Sequence, residues 1–319
     1  MRSVLLLFAA GIAAVCSFSG CQQSTGTHNT TAAPGAAGPS VAPFIPTTEW
    51  NAFWYNGKAE VTSYTLEQSR YGELHSGTAV NIFVTEDLSI SKQVKLDDPG
   101  SAGKDKLPVL KLNQSIKFNT GMYPYSIMLS SYQPVDVFNY PYPLKTTGSV
   151  QDWCGMTYYQ LNTRDDKYAV ESRSYFETEG DRQFTFNKVV QEDGLLNMVR
   201  ISPKYLPVGD FQLLPGAMYL RLSHTPVELV SATGVVSSEN DLQVYTIEMP
   251  SLNRKLVIRF ESVFPYRIMG WEDSYPGFDG RVLTSKATRN KELIIDYWRT
   301  HTNADRILRE QLGLPRDTQ

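Results

Sequence analysis

The sequence predicts a mainly β protein, and three observations indicate this. Leu110, Leu112, Ile116 and Phe118 alternate with polar residues, which is the period of a half-buried antiparallel strand. Turn signals recur at hairpin spacing, and no long helical pattern separates the roughly eleven to fourteen strand candidates between residues 57 and 290. We therefore expect an antiparallel meander that forms a barrel-like or two-sheet β domain over residues 47–290, followed by a short C-terminal helix.

An internal similarity predicts that this domain has two related halves. Residues 116–128 read IKFNTGMYPYSIM and residues 258–269 read IRFESVFPYRIM, with six identities in twelve pairs once Gly121 is removed. We assign the halves to 57–163 and 164–290. In this interpretation Phe118 and Phe260 occupy matching core positions, and the two Pro-Tyr segments mark matching bends.

Helix signals are few. Thr302 and Asp305 have the spacing of a capping box, and Gly313 supplies a stop, so residues 291–319 contain the C-terminal helix. A second short helix is possible near 192–199. Arg221 and His224 are assigned to a strand.

The N-terminus has the pattern of a bacterial lipoprotein signal. Arg2 precedes a twelve-residue apolar run, Val4–Val15, which is too short to span a bilayer. Small residues then lead to Cys21. We predict a signal peptide over 1–20 and acylation of Cys21, with Cys16 and ordinary secretion as the alternatives.

Residues 21–46 are predicted to tether the domain to a membrane. Residues 22–46 contain no charged residue and are dominated by small and turn-forming types. Because such a segment buries too little apolar surface to fold, we expect a flexible coil with an end-to-end distance of ~25–30 Å. Gln22 and Gln23 follow the cysteine, a pattern that resembles outer-membrane sorting. Because no acidic residue follows Cys21 within the tether, we favour the periplasmic face over the cell surface.

Charge, histidine spacing and cysteine content argue against several kinds of partner and site. Thirty Lys and Arg against 33 Asp and Glu leave no basic footprint, so we expect no nucleic-acid partner. The four His residues lack metal-ligand spacing, and no cofactor motif is present, so neither metal nor cofactor is predicted. Cys154 is interpreted as a buried small hydrophobe, with no disulfide partner.

Two aromatic segments are the candidate binding sites. We interpret residues 271–279 as an acidic aromatic loop, in which Glu272, Asp273 and Asp279 supply carboxylates and Trp271 and Tyr275 supply flat rings. The second segment is rich in Tyr and Pro, and its leading residues, Tyr123 and Tyr125, are assigned either to sheet packing or to the wall of an apolar cleft. No residue is assigned a catalytic role.

Several motifs in series resemble a group of bacterial outer-membrane lipoproteins that are often labelled septum formation inhibitor Maf. They are GKAEVTSYTLEQSRYGEL (57–74), NIFVTED (81–87), KFNTGMYPYSIMLS (117–130), DWCG (152–155), PYRIMGWED (265–273) and REQLGL (309–314). The resemblance implies a membrane-anchored envelope protein. The Leu-Ala-Ser opening with paired Arg of the true Maf nucleotide pyrophosphatases is not found.

Three functions remain open from the sequence. We favour a non-enzymatic lipoprotein that binds an apolar or amphipathic ligand, or an envelope partner. One alternative is a hydrolase of glycan or peptidoglycan that uses the carboxylates of 271–279, and another is a structural or assembly factor. Enzymatic activity is left open, with a non-enzymatic role favoured.

Overall fold

A computed structural model describes residues 42–315, so the predicted signal peptide, Cys21 and most of the tether lie outside the described residues. The fold is mainly β, with 53% of residues in strands, as the sequence predicts. The helices are α1 (Thr48–Trp54), α2 (Leu195–Ile201), α3 (Ala217–Ser223) and α4 (Ile307–Gln311). The strands are β1 (Ala59–Arg70), β2 (Glu73–Ser89), β3 (Lys106–Thr120), β4 (Tyr123–Pro134), β5 (Lys145–Asp152), β6 (Gly155–Arg164), β7 (Lys167–Arg173), β8 (Arg182–Asn187), β9 (Val190–Gln191), β10 (Gly209–Leu214), β11 (Val230–Glu239), β12 (Leu242–Met249), β13 (Arg254–Glu261), β14 (Ile268–Pro276) and β15 (Val282–Ile295).

All fifteen strands belong to one sheet. Its order is β8-β7-β6-β5-β4-β3-β2-β1-β15-β14-β13-β12-β11-β10-β9, so each strand lies beside its sequence neighbour except where β1 pairs with β15. Pairing is antiparallel except between β9 and β10, which are parallel. The sheet is open between β8 and β9. The two predicted arrangements were a barrel-like domain and two packed sheets, and the described residues form one sheet that does not close.

The sheet curls around a core. Leu129 of β4 and Leu256 of β13 line the same cavity, although six strand spacings, about 29 Å on a flat sheet, separate their strands. One buried apolar cluster likewise contains residues of β3, β4, β12 and β13 together with α2. The concave face is therefore filled by the short helices α2 and α3, which lie between the two arms of the sheet.

Polar anchors hold α2 against the concave face. The Asn197 side chain donates a hydrogen bond to the Leu110 carbonyl (2.8 Å) on β3. Arg200, fully buried, forms an ion pair with Glu60 of β1, and its guanidinium lies 5.1 Å from the Trp54 ring. A buried charge is tolerated because its partner and the aromatic ring replace part of its lost hydration.

The convex face of the sheet is covered where β1, β2 and β15 meet. Leu312 packs against Val61 and Val84, and the Ser63 hydroxyl donates to the Leu312 carbonyl (2.5 Å). The predicted capping box of Thr302 and Asp305 is present, and helical turns cover 303–311 before Gly313, at φ +65°. Because this C-terminal segment covers the convex side, β1 is buried on both faces. A strand in which apolar and polar residues simply alternate would have only one buried face.

One end of the sheet carries six hairpin turns. Because strand direction alternates, the β1–β2, β3–β4, β5–β6, β7–β8, β12–β13 and β14–β15 turns lie together, with α3 in the β10–β11 connection at the same end. We call this the rim end. The chain enters β1 at the opposite end, where α1 packs, since the Trp54 carbonyl accepts a hydrogen bond from Thr85.

The internal similarity holds in the core and fails at the bends. Phe118 and Phe260 are both buried, as predicted. Pro124, however, lies in β4 and Tyr125 is a buried strand residue, whereas Tyr266 lies in the β13–β14 turn at φ +56°. The prediction of matching Pro-Tyr bends is therefore wrong, because the first copy needs only the tight Gly121–Met122 turn and the second needs a longer connection.

Three further assignments are corrected. Residues 271–276 belong to strand β14, so only the last part of the predicted loop is a turn. Arg221 lies on helix α3 with His224 as its left-handed cap, and not on a strand. Cys154 is exposed, because Trp153 and Cys154 form the two-residue β5–β6 turn, which lies outside the core. Helix α1 was not predicted.

Candidate functional site

Two cavities flank helix α3 on the concave side of the sheet. The inner cavity, of about 110 Å³, lies between α2, α3 and both arms of the sheet. The outer cavity, of about 200 Å³, lies between α3 and the arm formed by β5 to β8. Met218 of α3 lines both. The two spaces are therefore neighbours, with this flexible side chain in the wall between them.

The inner cavity has apolar walls and one charged corner. Arg254, buried from solvent, donates two hydrogen bonds to Glu192 (2.6 Å each) and two to Asp273 (2.7 and 2.9 Å). The Tyr219 ring lies 3.8 Å from the guanidinium. Burial alone would lower the pKa of Arg254, but the charges of Asp273 and Glu192 raise it well above its ordinary value. Arg254 is thus a permanent cation fixed by two carboxylates.

The same corner holds the start of α3. Glu192 accepts a hydrogen bond from the Gly216 amide (2.9 Å), and Asp193 accepts one from the Ala217 amide (3.1 Å). Burial, and then the charge of Glu192, raise the pKa of Asp193 from 3.8 to about 7. The attachment of α3 at this end therefore involves a carboxyl group that titrates near neutral pH.

The outer cavity has an apolar floor and a charged mouth. Its floor includes Val150, Tyr159, Phe184, Leu220 and Val227. At the mouth are basic residues, one acid and a serine: Arg173, Arg182, Arg221, His224, Glu179 and Ser174. An apolar floor with ionic groups at one side suits a molecule that has an apolar body and a polar end.

Glu179 organises this mouth. Its carboxylate contacts His224 Nδ1 (2.5 Å) and the Arg221 guanidinium (3.5 Å), and it accepts a hydrogen bond from the Ser174 hydroxyl (2.5 Å). Burial would raise the pKa of Glu179, but these three partners lower it below its ordinary value. The carboxylate therefore stays ionised and ties the end of α3 to the β7–β8 loop.

These groups do not form a nucleophile-and-base pair. In hydrolytic triads the histidine contacts the nucleophile, and the carboxylate lies behind the histidine. Here the Glu179 carboxylate lies between Ser174 and His224, so each contacts the acid. The arrangement is structural and holds the mouth together.

The structure brings three of the predicted site residues together at the inner cavity. Trp271 packs at 4.8 Å from the Tyr64 ring, Tyr275 packs at 5.1 Å from Tyr219, and Asp273 binds Arg254. All three also line the cavity.

The other two predicted carboxylates lie elsewhere. Glu272 points to the opposite face of β14, where it pairs with Arg259 (3.1 Å) and Lys286 (3.8 Å). Asp279 lies in the β14–β15 turn and binds Arg281 (2.6 Å). The three carboxylates of 271–279 therefore do not converge on one substrate position.

The remaining predicted residues, Tyr123 and Tyr125, lie at the rim end. The Tyr123 hydroxyl donates to the Tyr71 hydroxyl (3.1 Å), and the Tyr71 and Tyr125 hydroxyls are 2.8 Å apart. Arg70, buried, donates to the Tyr125 hydroxyl (3.3 Å) and to the Leu222 carbonyl of α3. These tyrosines thus connect the rim to α3 and do not line the two cavities.

Among the charged residues of the two cavities, the sequence predicted only Asp273 as a site residue. Glu192, Arg254 and Asp273 are far apart in the chain, and no motif connects them. A helical assignment for 217–223 would have placed Arg221 and His224 within one turn of each other. Of the missed residues, only Glu192 and Asp193 offered a local signal, because an acidic pair before the apolar run at 195–199 is typical of the start of a helix.

Comparisons with known proteins identify no family. No family model matches the chain, and no curated protein matches it. A solved structure described as "Unveiling the Mechanism Behind the in-meso Crystallization of Membrane Proteins" aligns over 75% of this chain and 84% of its own, at 8% identity and a TM-score of 0.23. A likeness this weak carries no argument about function.

Two features are absent from the described residues. Within residues 42–315 no group of three or more His, Cys, Asp and Glu side chains has the geometry to hold a metal ion. Over the same range, no helix combines the length and apolar character needed to cross a membrane.

Proposed function

We propose that this protein is a non-enzymatic envelope lipoprotein, anchored through acyl chains on Cys21, that binds an amphipathic ligand beside α3. The periplasmic face of the outer membrane is the proposed location. The observation that carries the ligand proposal is the pair of cavities that share Met218 as a wall and combine apolar surfaces with charged ends.

The volumes indicate how a ligand would fit. Each cavity is smaller than the roughly 300 Å³ at which pockets for small molecules begin. Met218 is unbranched and has three rotatable bonds, so its side chain can move aside at little energetic cost. A ligand would then occupy both spaces, with its apolar body along α3.

The charged groups indicate the polarity of the ligand. Glu192 and Asp273 already saturate Arg254 in the inner cavity, so this corner offers no free cation to a ligand. At the outer mouth, Arg173 and Arg182 are exposed and make longer or single contacts with their neighbours. The polar end of the ligand is therefore placed at the outer mouth, close to solvent.

A binding assay with matched variants tests this proposal. Val150→Phe adds bulk to the floor of the outer cavity, and Val235→Phe makes the same change at an exposed position on β11. With a fluorescent long-chain fatty acid as probe, we expect Val150→Phe to bind at least ~10-fold more weakly than the wild type and Val235→Phe to bind equally.

Two outcomes would contradict the proposal. One is wild-type protein that does not bind the probe, and the other is equal binding by Val150→Phe and the wild type. Thermal unfolding of each variant shows that it is folded. If Val150→Phe fails to fold, Val227→Phe replaces it, because Val227 is only half-buried in the wall of the same cavity.

The free edge of the sheet favours a second candidate, an assembly role. Strand β8 pairs only with β7, so its outer edge presents unpaired backbone groups over Arg182–Asn187. A partner strand would add there. The hydrolase alternative gains no support, since the carboxylates of Glu272 and Asp273 point to opposite faces of β14.

A further inference from the structure

The rim end carries a series of large exposed side chains. Five of the six hairpin turns at this end each place one at the tip: Tyr71, Met122, Trp153, Tyr175 and Phe278, with exposed fractions of 51, 80, 66, 63 and 64%. The sixth turn, between β12 and β13, has no such residue. We call these five residues the rim tips. Isolated apolar residues on a surface need no explanation, but five at one end of a sheet form a candidate interaction surface.

Ring contacts connect the rim tips. Trp153 stacks with Tyr123 at 6.4 Å, and the Tyr123 hydroxyl binds that of Tyr71 (3.1 Å). The Arg70 guanidinium lies 4.3 Å from the Tyr71 ring and 5.6 Å from the Phe278 ring. The rim from β5–β6 to β14–β15 is therefore one continuous aromatic surface.

The surface continues to the mouth of the outer cavity. The Phe278 ring lies 5.5 Å from His224, which in turn lies 5.3 Å from Phe176. Phe176 contacts Tyr175 at 5.4 Å. Since His224 belongs to the charged mouth, a partner seated on the rim tips would lie directly beside the entrance to this cavity.

The opposite end of the sheet has a different character. Its two tightest turns, Asp165–Asp166 and Asn240–Asp241, are polar and charged. Exposed aromatic residues also occur there, in separate segments: Tyr55 after α1, Phe138 and Tyr140 in the β4–β5 loop, and Trp298 after β15. The rim end differs in that its exposed side chains lie at the tips of hairpin turns and most are connected by the ring contacts described above.

The chemistry of the rim tips fits a lipid bilayer. Trp and Tyr have an apolar body and a polar group, and they concentrate at the level of lipid head groups. Phe and Met are apolar throughout and are suited to the acyl boundary. Separate protruding tips can each enter a fluid interface, whereas a folded protein partner would require one packed, complementary face.

The length of chain before the domain permits the same membrane to be reached. Twenty residues separate Cys21 from Ala42, which extended would reach ~70 Å. The twelve residues of β1 cover ~40 Å between the two ends of the domain. An anchor on Cys21, which is part of the proposed function, would therefore keep a bilayer within reach of the rim tips.

We propose that the rim tips dock on the surface of a lipid bilayer. Trp153, Met122 and Phe278 enter the acyl boundary, and the hydroxyl groups of Tyr71 and Tyr175 stay at the level of the head groups. Docking places the mouth of the outer cavity at the bilayer, where an amphipathic ligand can pass between the two.

Fluorescence quenching by brominated lipids tests the docking. The purified protein is reconstituted with vesicles of phosphatidylethanolamine and phosphatidylglycerol that carry bromine on their acyl chains. Two tryptophans have large exposed fractions, Trp153 at the rim and Trp298 after β15 near the opposite end. We expect quenching in the wild type and in Trp298→Phe, and its loss in Trp153→Phe.

A second variant measures the strength of docking. In a Cys21→Ser background, which removes the proposed anchor, Met122→Ser with Trp153→Ser should weaken vesicle partitioning at least ~10-fold. Both positions are exposed turn residues, so the thermal midpoint should not change. Fatty-acid binding by this variant should also be unchanged, which separates docking from the ligand proposal.

Three results would overturn the docking proposal. Equal quenching in Trp153→Phe and the wild type would place the rim away from lipid. Unchanged partitioning of the double variant would show that the tips contribute no binding. The third result is a protein that does not bind vesicles but forms a dimer, where Trp153→Phe abolishes the dimer. That result would show that the rim tips bind a second copy of the chain.

Discussion

Replacing Asp193 by Asn is expected to make the protein more stable at neutral and alkaline pH. Asp193 binds the first amide of α3, and its pKa is raised from 3.8 to about 7 by burial and by Glu192. A shift of this size corresponds to at most about 4 kcal/mol, at 1.4 kcal/mol per unit. Because the side chain is only partly shielded from water, we expect about 2–3 kcal/mol.

The direction of this pH effect on stability follows from the number of protons bound by the folded and unfolded states. Between pH 4 and 7 the folded protein holds the Asp193 proton while the unfolded chain has lost it, so the unfolding free energy falls as the pH rises through this window. The penalty reaches a constant value about one pH unit above this pKa, near pH 8. The side chain of the Asp193→Asn variant has no such proton, and its amide oxygen still accepts the Ala217 hydrogen bond.

Urea unfolding of both proteins from pH 4.5 to 8 measures this difference. The advantage of Asp193→Asn should be small at pH 4.5 and grow to its full value by pH 8. Effects of other carboxylates cancel in the comparison, because both proteins share them. A difference in unfolding free energy that stays constant across the range would refute the reasoning.

Two further predictions concern the core. Phe260→Ala should lower the unfolding free energy by ~3–5 kcal/mol, the usual effect of truncating a fully buried aromatic side chain. Lys117→Ala, at an exposed strand position, should change the unfolding free energy by less than ~0.5 kcal/mol. Urea denaturation measures both values, and a small effect of Phe260→Ala would contradict the buried core described above. Arg254→Met should cost ~3–5 kcal/mol, because Glu192 and Asp273 lose their partner. The loss should shrink at acid pH, because burial raises the pKa of Asp273 and this carboxylate becomes protonated there.

The strands were predictable because successive side chains of a strand point to opposite faces of the sheet, so one buried face produces an alternating pattern in the sequence. Alternation in Leu110–Phe118 is reproduced as buried Leu110, Leu112, Ile116 and Phe118 on β3. The burial of Val61 on the convex face, in a strand buried on both sides, was not predictable in the same way. It depends on Leu312, which is distant in the chain, and no local pattern encodes that contact.

The candidate site was predictable only in part. Trp271 and Tyr275 were singled out for their aromatic rings, and both line the inner cavity. Their segment was mistaken for a loop because Asp273 interrupts the apolar pattern of β14. That interruption is explained by Arg254, a buried cation on the neighbouring strand, and cross-strand pairing of this kind cannot be recognised from local sequence.

The most direct test of the central claim is native mass spectrometry of the protein purified from bacterial membranes. The account predicts a covalent mass that includes acyl chains on Cys21, together with a second, non-covalent species of one bound amphipathic molecule. Val150→Phe should reduce the bound fraction, whereas Val235→Phe should retain it. Folded protein that never carries a bound molecule, in the wild type and in both variants, would contradict the account.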